Sequence, residues 1–164
     1  MIYTIGYSTR SLPEFWGELE KRRITHLIDV RSSPWSRNAP FYAPQIEKWA
    51  PKAGIFYRQC GEILGGMSNT PVDDPAYIGS LEKIIEASIR EPVAIMCAEG
   101  NPEHCHRTWD IAASLLIHWG IIATSICRDG STEDATTSLR RVKSSNFAAP
   151  IRRNLSDILG VELL

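Results

Sequence analysis

The chain has 164 residues, the size of one ordinary domain. Hydrophobic residues make up 43% and charged residues 23%, which excludes a disordered, collagen-like or coiled-coil chain. The formal charge of −1 excludes a protein that simply coats nucleic acid. No apolar run approaches the roughly 18 residues of a membrane helix, and no signal peptide is visible. The 4 scattered cysteines predict free thiols in a reducing cytoplasm rather than a disulfide scaffold.

Short β-branched runs alternate with amphipathic stretches along the chain. Ser11 and Glu14 have the spacing of a capping box, which predicts that a helix begins there. The run 92–97 is almost entirely apolar, which is typical of a central parallel strand buried on both faces. The predicted strands cover residues 2–5, 27–31, 55–57, 92–97 and 121–126, and the predicted helices cover 12–22, 45–49, 75–91 and 108–120.

The alternation of strands and helices implies parallel pairing with right-handed crossovers. We therefore predict a single α/β domain over residues 1–164. It is a three-layer sandwich, with a mostly parallel sheet of about five strands and helices on both faces. Its core spans about residues 2–127, and a helical C-terminal extension spans about 131–164.

Polar residues follow three predicted strands at their carboxyl ends, where open parallel α/β sheets bind ligands. Tyr7 and Ser8 follow the first strand, and Asp29 and Arg31 lie at the end of the second. The fourth strand leads into the polar segment 97–107. Because parallel strands end at the same edge, these residues are expected to converge on one site.

Asp29 and Arg31 alternate along their strand, so their side chains point to the same side. A buried aspartate needs a partner, and one interpretation is a structural ion pair. In the alternative interpretation, Arg31 holds an anionic group through its planar guanidinium.

The segment after the fourth strand allows three mechanisms. In the first, Cys97 or Cys105 is a thiolate nucleophile, with a histidine relay and Arg107 as an anion clamp. In the second, Glu99 is the nucleophile or general base. In the third, cysteines and histidines hold a metal. We do not expect a metal, because the adjacent Cys105 and His106 cannot readily both point at one ion.

The stretch Leu64-Gly65-Gly66 permits a tight turn. It lacks the spacing of a phosphate loop or a dinucleotide fingerprint. We therefore expect no NAD, no ATP held by a P-loop and no other cofactor.

Four motifs, spread over about residues 2–126, together resemble the domain of unknown function family 488. They are Thr4-Ile5-Gly6-Tyr7-Ser8, then Asp29-Val30-Arg31 followed by Pro34 and Ser36-Arg37, then Leu64-Gly65-Gly66, and finally Cys97-Ala98-Glu99 with Cys105-His106-Arg107. The chain departs from the family at Tyr7, where many members have histidine, and at Cys127, near a position where histidine often follows the last strand. The resemblance implies a compact α/β domain with a shared polar site, but no known reaction.

A more distant likeness is to rhodanese sulfurtransferases and cysteine phosphatases, which also place a cysteine at a strand end before a helix. In those families an arginine closes a short loop a few residues after the cysteine. Here Arg107 lies ten residues after Cys97, and the stretch also contains Glu103, which would repel an anion. The likeness is one of fold alone.

The first hypothesis is an enzyme, a hydrolase or transferase, that acts on a small anionic, phosphorylated or nucleotide-like substrate. Glu99 is the base or nucleophile and Asp29 orients an arginine or a substrate hydroxyl, while Cys97, Cys105 and His106 complete the catalytic candidates. The candidate substrate-binding residues are Arg31, Arg107, Ser8, Tyr7, Arg37, Gly65 and Gly66.

Two alternatives belong to different classes. One is a rhodanese- or phosphatase-like thiol enzyme that uses Cys97 or Cys105. The other is a non-enzymatic nucleic-acid-binding module that uses the basic stretch 140–153, with Trp35, Phe41 and Tyr42 as stacking groups. A solvated helix face is the simpler interpretation of that basic stretch. The sequence leaves the oligomeric state open.

Overall fold

The computed structural model describes residues 1–160, so the end of the predicted C-terminal extension, 161–164, lies outside the described residues. The strands are β1 (Ile2–Gly6), β2 (His26–Asp29), β3 (Phe56–Gln59), β4 (Val93–Cys97), β5 (Thr124–Ile126) and β6 (Thr132–Asp134). The α-helices are α1 (Leu12–Lys21), α2 (Ala43–Trp49), α3 (Gly61–Leu64), α4 (Pro75–Arg90), α5 (Ala113–Trp119), α6 (Ala135–Arg141) and α7 (Ala149–Leu159), and a π-helix (Arg107–Ala112) leads directly into α5.

Within residues 1–160 the strands form one sheet in the order β3-β2-β4-β1-β5-β6. Every neighbouring pair is parallel except β5 and β6, which are antiparallel. The predicted α/β class with a mostly parallel sheet is confirmed. The sixth strand was not predicted, and β5 is shorter than the predicted strand over 121–126.

Helices cover both faces of the sheet, which confirms the three predicted layers. On one face, α4, the π-helix and α5 pack on sheet side chains such as Ile28, Val93 and Ile95. On the other face, α1 and α2 pack on side chains such as Ile5, Leu27 and Met96. Every residue of β4 is buried, as its apolar sequence predicts.

The start of α1 has the predicted capping box. The Ser11 hydroxyl accepts a hydrogen bond from the Glu14 amide, and the Ser11 amide donates to the Glu14 carboxylate. This reciprocal pair satisfies two amides that have no partner within the helix.

The predicted C-terminal extension contains β6, α6 and α7. Leu139, Leu155 and Leu159 are buried in one cluster with Ala113 and Leu116 of α5. This part of the chain therefore packs on the sheet-covering helices. None of the helices in residues 1–160 is long and apolar enough to cross a membrane.

Candidate functional site

The carboxyl ends of three strands meet at one edge of the sheet. In the register of the parallel pairs, Gly6 of β1 lies beside Cys97 of β4, and Asp29 of β2 lies beside Met96. The Tyr7 amide donates to the Cys97 carbonyl, and the Val30 amide donates to the Met96 carbonyl. The polar residues that follow these strands therefore share one edge, as strand polarity requires.

Two thiols and an imidazole come together at this edge. His106 Nδ1 lies 3.9 Å from Cys97 Sγ and 3.8 Å from Cys105 Sγ. All three atoms lie within 4.8 Å of one another, and all three residues are buried. We call Cys97, Cys105 and His106 the thiol–imidazole cluster. It combines two of the catalytic types predicted for this segment, a thiol and a proton-relaying histidine.

The expectation that Cys105 and His106 point apart is wrong. Cys105 has extended backbone, with φ −132° and ψ 138°, whereas His106 is helical, with φ −57° and ψ −24°. This change of conformation between consecutive residues turns both side chains toward Cys97. Side chains of neighbouring residues in one regular conformation point in different directions, so the sequence did not indicate this geometry.

The pKa values of the two thiols are shifted in opposite directions. The Cys97–Cys105 hydrogen bond lowers the pKa of Cys105, and His106 and Arg107 lower it further. The same hydrogen bond, together with burial, raises the pKa of Cys97. Burial lowers the pKa of His106, but the hydrogen bond and charge of Cys105 outweigh this effect and raise it. These opposite shifts favour the thiolate at Cys105 over the thiolate at Cys97.

Arg107 is fully buried directly after the cluster. Its guanidinium donates to the carbonyl oxygens of Glu99 and Gly100, and so holds the loop after β4. Within residues 1–160 it forms no ion pair with a carboxylate. Its positive charge therefore acts on the two sulfurs without being neutralised by a salt bridge.

Asp29 and Arg31 form a buried ion pair. Arg31 Nε donates to Asp29 Oδ1 at 2.8 Å, and Arg31 Nη1 donates to the Phe41 carbonyl at 2.8 Å. Tyr57 donates its hydroxyl proton to Asp29 Oδ2 at 2.6 Å. Tyr7 stacks on Phe41, and the Arg31 guanidinium lies over the Tyr7 ring. These contacts give Arg31, Asp29 and Tyr7 structural partners and favour the ion-pair interpretation over an anion clamp.

The other predicted site residues lie around the cluster rather than in it. Glu99 is exposed, and its carboxylate accepts from the Asn101 amide at 2.9 Å. Ser8 is half-buried, and its side chain faces Gly100. Arg37 is exposed, and Gly65 lies against Ser32.

Gly66 lies against the imidazole of the cluster. A Cβ atom on this residue would approach His106 Cγ and Nδ1 to 2.9 Å. Glycine is therefore needed because the backbone passes too close to the ring for a side chain.

The substitution Gly66→Ala is expected to displace the His106 ring and to lower the free energy of unfolding by about 1 kcal/mol. The measurement is urea denaturation, with the His106 ring followed by NMR. Gly79→Ala is the control, since no atom lies within 4 Å of the Cβ it would add. An unmoved His106 ring in Gly66→Ala would contradict this packing role.

Two residues near these networks were missed in the sequence. Burial raises the pKa of the Asp110 carboxyl to about 6, while the charge of His106 opposes this shift. The separation of four residues between His106 and Asp110 was the available signal, because it places both on one helix face. Tyr57 gave no signal, since its contact with Asp29 depends on the pairing of β2 with β3.

One of the three stacking groups predicted for nucleic-acid binding, Phe41, is not accessible to a base. Phe41 is fully buried against Tyr7 and Phe15, so it is not available to a base. Arg141 pairs with Glu103 and Glu133, which offset its charge. Nucleic-acid binding through 140–153 stays a prediction.

A comparison with protein families matches residues 11–75 to a family described as Domain of unknown function DUF488. The matched segment includes Asp29-Val30-Arg31 and Leu64-Gly65-Gly66, and it ends before the thiol–imidazole cluster. The resemblance stated from the sequence is confirmed over residues 11–75, which hold the second and third of its four motifs. Comparison with the curated proteins and with solved structures gives no match.

Proposed function

We propose that this chain, whose residues 11–75 match the DUF488 family, is a thiol-dependent hydrolase or transferase. Its substrate is a small anionic molecule. The observation that carries the proposal is the thiol–imidazole cluster, with three reactive atoms within 4.8 Å at the carboxyl edge of a parallel sheet.

Each member of the cluster has a separate role. The Cys105 sulfur attacks the electrophilic centre of the substrate and forms a covalent bond to it. The leaving group departs with its electron pair and takes a proton from His106. Water or an acceptor then attacks the bound group and gives its proton to His106, and the bond to sulfur breaks with return of the electron pair to Cys105. Cys97 stabilises the Cys105 thiolate through its hydrogen bond.

The geometry supports this mechanism better than catalysis by Glu99. The Glu99 carboxylate is exposed and caps its own loop through Asn101, whereas the thiols are buried beside an imidazole. The charge of Arg107 supports the choice of an anionic substrate, because no salt bridge within residues 1–160 offsets it. The reducing cytoplasm is the compartment proposed for these thiols, and four free cysteines support it.

The test is the alkylation rate of each cysteine in the reduced, EDTA-treated chain. We expect Cys105 to react faster than Cys60 and Cys127, although it is 3% exposed and those two are half-buried. We also compare the alkylation rates of anionic iodoacetate and neutral iodoacetamide. We expect the ratio of the iodoacetate rate to the iodoacetamide rate to be higher at Cys105 than at Cys60. Cys105→Ser removes the fast phase, and Cys60→Ser leaves it in place. Labelling of Cys105 only after addition of denaturant would overturn the proposal.

A further inference from the structure

The spacing of the thiol–imidazole cluster matches that of ligands around a tetrahedral zinc ion. Zinc lies about 2.3 Å from a cysteine sulfur and about 2.0 Å from a histidine nitrogen, which separates the two ligand atoms by about 3.5 Å at a tetrahedral angle. The observed distances from His106 Nδ1 to the two sulfurs are 3.9 and 3.8 Å. Each nitrogen–sulfur pair therefore needs to close by only a few tenths of an ångström to share one ion, and the two sulfurs lie within 4.8 Å of one another.

A hydrogen bond at Nε2 leaves Nδ1 as the ring nitrogen of His106 that can bind a metal. Nε2 lies 3.2 Å from the Val30 carbonyl oxygen, which can only accept, so Nε2 carries the proton. Nδ1 is then the ring nitrogen that faces the two sulfurs, and its lone pair is available to a metal once the ring is neutral. Histidine ligands of metals almost always donate their second N–H to a carbonyl or carboxylate in this way.

The chemistry of the three donor atoms also indicates which metal the cluster would bind. Two thiolates would offset the charge of a divalent cation. Since cysteine and histidine are soft and borderline ligands, the set selects zinc over magnesium or calcium.

We propose that Cys97, Cys105 and His106 form a three-ligand site for zinc, with the fourth position left to water or another small ligand. Three protein ligands with one open position are typical of non-structural zinc sites. The inference rests on the proposed function in one respect. Because zinc would occupy the Cys105 sulfur, the zinc-bound chain is the form in which the proposed thiol reaction is blocked.

The experiment titrates the reduced, metal-free full chain with Co²⁺ and then with Zn²⁺. We expect one Co²⁺ per chain, with the thiolate-to-cobalt charge-transfer absorption of cysteine ligation, and full displacement by Zn²⁺. We also expect zinc to protect Cys97 and Cys105 from alkylation and to leave Cys60 and Cys127 unprotected. This protection is measured on the unaltered chain, so it does not depend on whether a variant folds.

Variants then assign the ligands. Cys97→Ser, Cys105→Ser and His106→Ala are each expected to weaken zinc binding by more than about 100-fold, since changes in outer-shell partners alone cost about 10–100-fold. Cys60→Ser, Cys127→Ser and His104→Ala are the matched controls and are expected to bind normally, because these residues lie outside the cluster.

Absence of the charge-transfer band would overturn the inference, as would alkylation of Cys105 that is fast in the metal-free chain and unchanged by zinc. Unchanged zinc binding in the double variant Cys97→Ser/Cys105→Ser would also overturn it. The two proposals fail separately. Fast alkylation of metal-free Cys105 without zinc binding leaves only the thiol enzyme, and zinc binding with an unreactive metal-free Cys105 leaves only the metal site.

Discussion

Replacing Arg31 with alanine is expected to lower the free energy of unfolding by about 3–5 kcal/mol, the usual effect of removing one partner of a buried ion pair. Asp29 and Arg31 are 1% and 5% exposed, so water cannot replace the lost guanidinium without a change of structure. Burial alone lowers the pKa of Arg31, but the hydrogen bonds and charge of Asp29 outweigh it and raise that pKa. Asp29 therefore stabilises the charged form of Arg31 in the folded chain.

The stability lost in Arg31→Ala does not come from the ion pair alone, because Arg31 also holds the loop between β2 and α2. Its Nη1 donates to the Phe41 carbonyl, and its guanidinium covers the Tyr7 ring. The measurement is urea denaturation, with the slope of the transition checked for two-state behaviour. Arg37→Ala is the control, since Arg37 is exposed and a change within about 0.5 kcal/mol is expected there. A loss below about 1 kcal/mol in Arg31→Ala would show that the ion pair is dispensable.

Gly6→Ala is the second substitution with a large expected effect, a loss of about 3 kcal/mol. A Cβ atom on Gly6 would lie 1.7 Å from the Glu99 carbonyl oxygen and 2.5 Å from its carbon. Both sides of this contact are fixed, because Ser8 donates its amide to the Ala98 carbonyl at 2.8 Å. Neither the strand nor the loop after β4 can move away without breaking hydrogen bonds of the sheet edge.

Gly6→Ala is also expected to change the reactivity of the thiol–imidazole cluster. The Glu99 carbonyl accepts from Arg107, so a displaced loop changes the charge near the sulfurs and slows alkylation of Cys105. Gly17→Ala is the control in α1, where no atom lies within 4 Å of the added Cβ and a gain of about 0.5–1 kcal/mol is expected. Equal stability of Gly6→Ala and the unaltered chain would contradict the close approach.

The fold was predictable wherever local signals agree with burial. The capping box at Ser11 and the apolar run of β4 each specify one structure, and both are found. The strand β6 was not predictable, because Thr132-Glu133-Asp134 is short, polar and without alternation. Its pairing with β5 depends on a turn through Gly130, which has φ 82°.

The site was predictable as a location but not as a geometry. Strand polarity alone brings Cys97 and Asp29 to the same edge. Side-chain direction after a strand end is set by the loop, so the sequence did not separate the exposed Glu99 from the buried Cys97. The sequence also left open whether Arg31 binds a ligand or pairs with Asp29. No sequence pattern indicated the change of backbone conformation between Cys105 and His106.

The π-helix at Arg107–Ala112 separates His106 from α5. A π-turn holds one residue more than an α-turn, and such turns are frequent at functional sites. Because the wider turn absorbs the extra residue, the residues before and after it face as they would along a regular α-helix. Deleting one residue between Arg107 and Ala112 is therefore expected to convert the π-turn into an α-turn and to leave His106 facing the Val30 carbonyl and the two sulfurs. A related chain that keeps every cysteine and histidine but lacks this residue would still assemble the cluster.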